Sequence, residues 1–459
     1  MREKLFYSPK NAYTRIDEQT RRAVNNFAEG YKSFLDKSKT ERDTVMSVTE
    51  LAEAHGFVPY GREMKLSAGD RVYTINRNKS ILLAVIGKKP LSCGVNILAA
   101  HIDSPRLDLK PMPVSEDKNE LVYFKTHYYG GIKKYQWTAI PLELRGVVAL
   151  AGGGVVNVSI GADAGDPVFT ITDLLPHLAS QQMGKTLAEG ITGENLRVLI
   201  GSIPDTQEEG ADPAKFAILK ILYEKYGITE QDFLSAELSI VPNFPTRDVG
   251  LDRSLIGGYG HDDRCCAYPA VHALLDLPTP QKTAVCILAD KEEIGSVGAT
   301  GMQSEYFDNF LASLCGGSDA LRECYEHSAC LSADVTNAFD PLYGDVCDPQ
   351  NASYANYGVC FMKYTGARGK SGSNDAEAEF VGRLRGMLDE ARVIWQMAEL
   401  GRVDAGGGGT VAGFMSRRNI STIDIGVPVL SMHAPFEVIS KLDLYMALRA
   451  MRAFCAMDD

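Results

Sequence analysis

Five short blocks of metal-ligand residues, far apart along the chain, most constrain how this sequence can fold. Each block stands at the edge of an apolar or glycine-rich run. Two imidazoles and several carboxylates form a ligand set suited to zinc, manganese or cobalt. Ligands so widely separated can meet only on a large, rigid fold, so we expect that fold to assemble a dinuclear metal site. The candidate ligands and their immediate neighbours are His101, Asp103, Asp262, Asp263, Glu292, Glu293, Asp334 and His433.

Length and composition indicate a globular chain with more than one domain. The 459 residues exceed the size of an average domain, and a hydrophobic content of 45% is ordinary for a globular core. A net charge of −12 and a pI near 5.3 argue against nucleic acid or an anionic membrane as a partner. We therefore expect a small-molecule or peptide ligand.

The cysteines and the N-terminus indicate a cytoplasmic protein. None of the ten cysteines forms a CxxC pair, and several lie inside apolar runs, so we expect reduced thiols. The N-terminal segment has no apolar core of the signal-peptide kind, and no stretch approaches 18 apolar residues. The sequence thus predicts no membrane association.

Two helices are predicted near the N-terminus. Apolar residues recur at helical spacing over 16–35, and a capping box that begins at Thr14 would start this helix. A second cap at Ser47 would start a shorter helix ending near Gly56. Both predictions depend on local spacing alone.

Apolar strands precede most of the ligand blocks, and the chain from about residue 250 alternates strand, loop and helix. A long helix is predicted over 374–400, and the last strand is predicted to end at His433. Open α/β sheets place their sites at the carboxyl ends of strands, as the blocks are placed here. The predicted buried strands cover residues 81–87, 96–100, 284–290, 331–334 and 357–365.

Residues 111–249 have a different pattern, with alternating, turn-bounded stretches typical of β structure. The Ala-Gly-Gly-Gly sequence at 151–154 predicts a hairpin turn, since it lacks the spacing of a phosphate loop. The segment is long enough for an independent domain. We therefore predict an α/β catalytic domain over 1–110 and 250–459, interrupted by an inserted domain over 111–249.

His101 and Asp103 form an H-x-D unit after a strand. A neutral imidazole can bind a metal through one nitrogen while a carboxylate holds its other N–H, so we expect Asp103 to orient His101. A hydrogen-bonded core histidine is the alternative for an isolated unit of this kind. The other ligand blocks favour the metal.

In each of two pairs of consecutive carboxylates, we expect one residue to bind metal and the other to have a different role. Asp262 and Asp263 lie in a glycine-flanked loop, where one can bridge two cations while the other is held by backbone groups or by Arg264. Glu292 and Glu293 follow a strand, and neighbouring side chains of an extended chain point to opposite sides. One glutamate can therefore bind metal while the other acts as general base toward the attacking water.

Asp334 and His433 complete the set. Asp334 ends a strand and offers one more carboxylate, with an Asx turn as the alternative. His433 follows an apolar run in a chain with only eight histidines. We expect His101, Asp262 and Asp334 around one ion. The second ion would share Asp262 and add Glu293 and His433.

The order H-x-D, D-D-R, E-E-I-G-S, S-A-D and P-V-L-S-M-H resembles the aspartyl aminopeptidase family of cocatalytic zinc exopeptidases, which includes the vacuolar aminopeptidase I type. The match spans nearly the whole chain. The resemblance implies a catalytic domain around a mostly parallel sheet flanked by helices, an inserted β-rich dimerisation domain, and a tetrahedral dodecamer. It also implies two zinc ions per subunit, with cobalt or manganese as alternatives. The implied ligands are His101, Asp262, Glu293, Asp334 and His433, with Glu292 as the base and Asp103 behind His101.

The resemblance also implies that three further positions affect how the substrate is bound. Lys363 matches a lysine that faces an acidic substrate side chain, and His177 matches a histidine supplied to a neighbouring subunit's active site, where it stabilises the oxyanion. A lysine closing an edge strand and a helix-surface histidine are the alternatives. Asn337 stands where acidic-specific members carry a histidine, which leaves acidic and neutral substrates both open.

The sequence therefore predicts a metalloaminopeptidase that removes single N-terminal residues from peptides. A carboxypeptidase or deacylase on the same scaffold would need a cationic clamp for a terminal carboxylate. A non-catalytic binding or assembly homologue would be expected to have lost Glu292 or a metal ligand, and each of these residues is present.

Overall fold

The computed structural model describes residues 1, 5–207 and 209–458. The chain forms two compact units. The larger comprises Met1–Asp103, Thr246–Met432 and Phe436–Asp459, and the smaller comprises Ser104–Pro245 and His433–Pro435. The sequence places its domain boundaries at 110/111 and 249/250, whereas the units divide at 103/104 and 245/246.

The strands carry the following bounds in chain order: β1 Val58–Pro59, β2 Arg71–Asn76, β3 Ser80–Val85, β4 Val95–His101, β5 Arg106–Glu116, β6 Val122–Tyr129, β7 Leu142–Ala149, β8 Val155–Ile160, β9 Val198–Gly201, β10 Ala236–Pro242, β11 Arg247–Val249, β12 Leu255–Gly258, β13 Thr283–Ala289, β14 Ala329–Ala333, β15 Thr336–Asn337, β16 Val359–Met362, β17 Trp395–Met397, β18 Ser421–Gly426, β19 Pro428–Leu430 and β20 Glu437–Ser440.

The α-helices of the described residues are α1 Glu18–Lys37, α2 Glu41–Ala54, α3 Ser180–Met183, α4 Leu187–Gly190, α5 Pro213–Tyr226, α6 His261–Leu275, α7 Tyr306–Cys315, α8 Ser318–Glu326, α9 Ala367–Lys370, α10 Ala378–Glu390, α11 Ala412–Ser416 and α12 Lys441–Ala456. Short 3₁₀ turns include Pro176–Leu178 and Glu292–Ile294. No helix of the described residues combines the length and the apolar character needed to cross a bilayer.

A nine-stranded sheet forms the centre of the larger unit, in the order β1-β2-β3-β13-β4-β14-β18-β16-β17. Its middle strands β13, β4, β14 and β18 run parallel, while β3 and β16 pair antiparallel with β13 and β18. A second sheet of this unit has the order β11-β12-β20-β19-β15. The predicted mixed α/β class, with parallel strands at the centre of the sheet, is confirmed.

Both faces of the nine-stranded sheet are covered, which explains its continuous apolar strands. In β4, Leu98 and Ala100 belong to one buried cluster, which includes residues of α1, α2, α6, α10 and α12. Ile97 and Ala99 point to the opposite face and belong to the cluster that includes residues of α7, α8 and α11. Successive side chains alternate between two cores because a strand has a period of two.

The two predicted N-terminal helices exist, but both predicted starts are wrong. Asp17 caps α1 by accepting from the backbone N–H of Thr20, whereas Thr14 ends a preceding 3₁₀ turn. The helix α2 begins earlier than predicted, at a capping box formed by Thr40 and Asp43. Ser47 lies inside this helix. The Ser-x-x-Glu pattern also occurs within helices that another cap has already started, so it did not mark the helix start here.

The long helix predicted over 374–400 is confirmed only over Ala378–Glu390, and its predicted C-terminal part is wrong. The helix α10 ends at Glu390, and Arg392 adopts a left-handed backbone with φ of 53°. The chain then forms β17, in which Trp395 pairs with Val359 of β16. Residues whose apolar spacing suits a helix are used here to extend the sheet.

The smaller unit is built on an antiparallel sheet of order β8-β7-β10-β5-β6-β9, against which α5 packs. The glycine-rich sequence at 151–154 connects the antiparallel strands β7 and β8, so the predicted hairpin is confirmed. Trp137 is fully buried in this unit. The predicted β-rich character of this segment is therefore confirmed.

His272 predicts a loss of stability in mild acid. Its ring packs on Tyr268, with ring centroids 4.2 Å apart, and burial, followed by the positive charge of Arg452, lowers its pKa from 6.5 to about 4. The unfolded chain then binds more protons, so this contribution is complete above pH 6.5 and is lost as the pH falls toward 4. We expect the free energy of unfolding to fall by about 2 kcal/mol more between pH 7 and 5 in the native protein than in His272→Gln. Denaturant titrations of the two proteins at each pH measure this free energy. An equal pH dependence in both proteins would contradict the role of His272.

Candidate metal centre

Neighbouring parallel strands bring three of the predicted blocks to one edge of the nine-stranded sheet. β4 lies between β13 and β14, and Ala289 at the end of β13 pairs with His101 at the end of β4. Asp334 directly follows β14, and Glu292 shortly follows β13. Carboxyl ends of parallel strands share an edge, so the fold itself concentrates these ligands.

Asp262 and Asp263 lie at the start of the range His261–Leu275 assigned to α6. Gly260 precedes the helix with a left-handed backbone, and both aspartates depart from helical backbone angles. The peptide bond between them is cis. Both side chains are buried, at 3% exposure for Asp262 and 0% for Asp263.

His101 contacts the carboxylates directly. Its Nε2 lies 3.2 Å from Oδ1 of Asp262 and 3.8 Å from Oδ1 of Asp334. Its Nδ1 lies 3.0 Å from the backbone carbonyl oxygen of Asp103 and 3.4 Å from that residue's Oδ1. A carbonyl oxygen can only accept, so Nδ1 carries the proton, and a neutral ring presents the Nε2 lone pair to a metal.

The charges around His101 act on its protonation. Burial lowers the pKa of this imidazole, but the hydrogen bonds to Asp103, Asp262 and Asp334 raise it well above the ordinary value. The arrangement therefore attracts positive charge at Nε2, whether as a proton or as a metal ion. A divalent cation satisfies the same carboxylates without the proton.

Asp103 does more than the sequence predicts. Its carboxylate oxygens accept from the backbone N–H groups of Glu292 and Glu293, at 3.1 and 3.2 Å. These two glutamates lie in a 3₁₀ turn entered through the left-handed Lys291, not in extended chain. Hydrogen bonding to the Asp103 carboxylate thus fixes the backbone of the turn that carries the two glutamates.

Glu292 is electrostatically unusual. Burial, and then the negative charge of Asp334, raise its pKa from 4.5 to about 8. A carboxyl group with a pKa in this range can both accept and release a proton near neutral pH. Cations bound nearby would oppose this upward shift and favour the carboxylate form that a general base requires.

Among the described residues, three groups each bring their ligand atoms within 4.8 Å of one another; Asp263, Cys265 and Cys266 form one, and two share His101. Of those two, one comprises His101, Asp262 and Glu293, and the other comprises His101, Asp263 and Asp334. Both carboxylate oxygens of Asp263 are buried without a hydrogen-bond partner, and burial raises the pKa of this group well above its ordinary value. Buried carboxylates crowded around one imidazole are costly unless a cation neutralises them, so the residues fit divalent metal ions.

Two residues of this centre differ from what the sequence predicts: Asp263 was given another role, and Glu437 was given none. Asp263 was expected to be held by backbone groups or by Arg264, but its carboxylate belongs to the metal-ligand cluster. Glu437 is buried in β20, and its Oε2 accepts from the backbone N–H of Asp262 at 3.1 Å. Glu437 is the first residue of the strand Glu437–Ser440, and no sequence pattern indicates its contact with Asp262.

Three predicted site residues remain: His433, His177 and Lys363. His433 belongs to the smaller unit and occupies a turn after β19, so the strand does not end at it as predicted. Its Nδ1 donates to the carbonyl of Gly131 at 2.8 Å. His177 is exposed in the Pro176–Leu178 turn, and Lys363 is half-buried just beyond β16. Their predicted roles stay predictions.

Comparison with known proteins supports a zinc exopeptidase. The family model described as "Aminopeptidase I zinc metalloprotease (M18)" matches residues 34–455. A curated relative from Clostridium acetobutylicum, named a probable M18 family aminopeptidase 1, is 47% identical over 461 residues, covering 98% of this chain and 98% of the relative.

Solved structures agree with the sequence relatives. The M18 aminopeptidase of Thermotoga maritima superposes with a TM-score of 0.94 at 45% identity, covering 98% of this chain and 99% of its own. The structure described as the mApe1 dodecamer of S. cerevisiae shares the fold, with a TM-score of 0.74 at 18% identity and coverage of 93% and 95%. The match to the family model and the near-complete relatives together identify this chain as a metalloaminopeptidase of the M18 family.

Proposed function

We propose that this aminopeptidase holds two divalent metal ions, zinc in its ordinary form, with cobalt or manganese able to occupy one position. The residues that would hold them are the buried carboxylates around Nε2 of His101 and their neighbours. The observation that carries the proposal is the distance of 3.2 Å between Nε2 of His101 and Oδ1 of Asp262. The five proposed ligands are His101, Asp262, Glu293, Asp334 and His433.

Asp262 is the residue that both ions share. A carboxylate can bridge two cations because each of its oxygens can bind one of them. His101 and Asp334 would complete the ligands of one ion, and Glu293 with His433 would complete those of the other. The backbone hydrogen bond from Asp262 to Glu437 supports this role, since it holds the main chain beneath the bridging side chain.

Two such ions, when bound, polarise the scissile carbonyl and make water acidic enough to attack it. Glu292 accepts the proton of the attacking water and passes it to the nitrogen of the leaving peptide. Asp103 positions this base, because its carboxylate holds the backbone N–H of Glu292 at 3.1 Å. It orients His101 at the same time, so one buried aspartate aligns both the base and a ligand.

A panel of amino-acid p-nitroanilides with and without a chelator tests the activity. We expect turnover that chelation abolishes and that added zinc or cobalt restores. Substrates blocked at the amine should resist cleavage, because an exopeptidase of this type recognises the free N-terminus. Cleavage of N-acylated or C-terminal substrates instead would favour the deacylase or carboxypeptidase alternative.

We propose that Lys363 disposes the enzyme toward N-terminal Asp or Glu. The lysine is half-buried beyond β16, and a partly desolvated ammonium pairs strongly with a carboxylate. Asn337 offers no second positive charge. It lies in β15, and its Nδ2 donates to the sulfur of Cys347 at 3.5 Å. We therefore propose a preference rather than strict specificity.

Lys363→Ala is expected to lower kcat/KM for aspartyl p-nitroanilide by about 10-fold or more, the scale of one charge-assisted hydrogen bond, and to leave the leucyl substrate nearly unchanged. The exposed Lys65→Ala is the matched control for loss of one positive charge. Equal losses on both substrates in Lys363→Ala would refute a role in side-chain recognition.

We propose that the smaller unit is a dimerisation domain and that the enzyme assembles further, toward a tetrahedral dodecamer in the cytoplasm. Several large apolar side chains close to His177 in sequence are exposed, as is common at protein–protein interfaces. A yeast neighbour of the same fold is described as a dodecamer. In such an assembly His177 serves the active site of an adjacent subunit. The exposed residues, which we call the insert patch, are Leu174, Leu175, Leu178, Met183 and Leu187.

Leu178→Asp is expected to shift the protein to smaller species and to reduce activity, because a buried interfacial charge is costly and His177 would lose its neighbour. Light scattering coupled to size exclusion gives the mass. Leu251→Asp, an exposed leucine of the larger unit, is the control. An unchanged mass in Leu178→Asp would contradict an interface at the insert patch.

A further inference from the structure

Two adjacent cysteines lie near the start of α6, shortly after the aspartate pair. Cys265, Cys266 and Asp263 are all fully buried, at 0% exposure. The two sulfur atoms and a carboxylate oxygen of Asp263 lie within 4.8 Å of one another. We call these three residues the thiol cluster. No other cysteine of the described residues belongs to a group of this kind.

The carboxylate of the thiol cluster is independent evidence for a bound cation. Both oxygens of Asp263 are buried without a hydrogen-bond partner. A buried carboxylate that has neither hydrogen bonds nor a counter-ion is strongly unfavourable. Because each of its two oxygens can bind a different ion, Asp263 can serve one cation on the side of His101 and another on the side of the two sulfurs.

Two thiols and one carboxylate select the kind of ion. Thiolate sulfur is a soft ligand, which suits zinc and other thiophilic ions and does not suit magnesium, calcium or manganese. Burial raises the pKa of both thiols above the ordinary value, so only an ion with a high affinity for sulfur displaces their protons. Each thiol releases one proton to solvent as it binds, and the two thiolates then balance the charge of a divalent ion.

We propose that Asp263, Cys265 and Cys266 form a third cation position, which binds a thiophilic divalent ion such as zinc or cadmium. None of the three residues is among the five ligands proposed for the two-ion centre, so this position does not compete for those ligands. Three protein ligands leave a fourth coordination position open, which is typical of an exchangeable ion rather than of a closed structural site.

The route of the ion follows from the burial of the sulfurs. Neither thiol is exposed, so an ion cannot reach them directly from solvent. Asp263 also belongs to the group that includes His101 and Asp334, and the two groups are therefore contiguous through one carboxylate. We infer that the ion enters from the metal centre and passes to the sulfurs along Asp263.

An ion in the thiol cluster acts on the metal centre through the same carboxylate. It draws Asp263 toward the sulfurs and adds positive charge beside His101 and Asp334. Like charges oppose one another, so the ion in the third position weakens the binding of its neighbour. We therefore expect an excess of a thiophilic ion to inhibit the aminopeptidase, and a small dithiol that removes this ion to restore turnover.

Cadmium titration of the zinc-loaded native enzyme tests the third position. Cadmium bound to thiolate absorbs in the ultraviolet through sulfur-to-metal charge transfer, whereas oxygen and nitrogen ligands give no such band. We expect the band to saturate at one cadmium ion per chain and to disappear when a dithiol removes the ion. Because the band reports sulfur-bound ions alone, the result does not depend on how many ions the carboxylates and imidazoles hold.

Cys265→Ala and Cys266→Ala are the principal variants, because alanine keeps an apolar side chain in the core. Each should lose most of the charge-transfer band. Cys286→Ala, which removes an equally buried thiol of β13 outside the cluster, should keep the band in full. A native enzyme without the band, or a band that survives in both principal variants, would overturn the assignment.

Diffraction from native crystals soaked in cadmium locates the ion without any substitution, so the test does not depend on whether a variant folds. We expect an anomalous peak in contact with both sulfurs of the thiol cluster and with the carboxylate of Asp263. Sulfur-bound cadmium found only at other cysteines would refute the third position.

Discussion

Replacing Glu292 by glutamine is expected to lower kcat at least about 100-fold while both metal ions remain bound. Glutamine has nearly the same shape as glutamate but cannot take up the proton of the attacking water. The turn that carries the residue should persist, because Asp103 holds it through backbone N–H groups that the substitution leaves in place. Loss of turnover without loss of metal is therefore the specific signature of a general base.

The measurement combines kcat on a p-nitroanilide substrate with metal analysis of the same purified sample. Glu50→Gln, which removes an exposed carboxylate from α2, controls for the change in charge. Activity within a few-fold of the native enzyme in Glu292→Gln would rule out Glu292 as the base. Loss of metal together with activity would instead assign it to the ligands.

Asp262→Asn is expected to lower the metal content from two ions toward one or none and to reduce activity at least about 100-fold. Loss of a hydrogen-bond partner behind a ligand already costs about 10- to 100-fold, and a shared ligand acts more directly. An amide is neutral and offers one oxygen, so it cannot bridge two cations as a carboxylate does. The backbone bond to Glu437 does not involve the changed group.

Asp276→Asn, an exposed aspartate just after the other end of α6, is the matched control and should bind metal normally. Metal content and activity are measured on material prepared without added metal and again after saturation with zinc. Full occupancy of two ions in Asp262→Asn, held through dialysis, would exclude a bridging role for Asp262.

The strands that deliver the ligands could be predicted from sequence because each is an apolar run covered on both faces. The runs before His101, Glu292 and Asp334 form β4, β13 and β14, adjacent and parallel in the sheet. Once three such strands are parallel neighbours, their carboxyl ends must share an edge. The convergence of these three blocks therefore followed from a pattern visible in the sequence.

Helix boundaries could not be predicted in the same way. The pattern at Ser47 satisfied a capping rule, yet Thr40 had already started the helix. The apolar spacing after Glu390 suited a helix, but the left-handed Arg392 and pairing with β16 turn it into a strand. Local propensity is weak when an edge strand can gain backbone hydrogen bonds from the sheet.

The supporting groups of the site were the least predictable part. Asp103 captures the backbone N–H groups of the Glu292–Ile294 turn, and Glu437 captures that of Asp262. Neither contact has a sequence signature, because each depends on how distant segments pack. The sequence thus supplied candidate ligands, whereas the contacts that aim them required the three-dimensional arrangement.

Anomalous diffraction at the zinc edge from crystals of the native enzyme tests the metal centre most directly. We expect two peaks about 3.5–4 Å apart, the usual separation in cocatalytic sites, with the carboxylate of Asp262 touching both. His101 and Asp334 should bind one peak, and Glu293 and His433 the other. A single peak, or two peaks that do not share Asp262, would contradict the proposed centre.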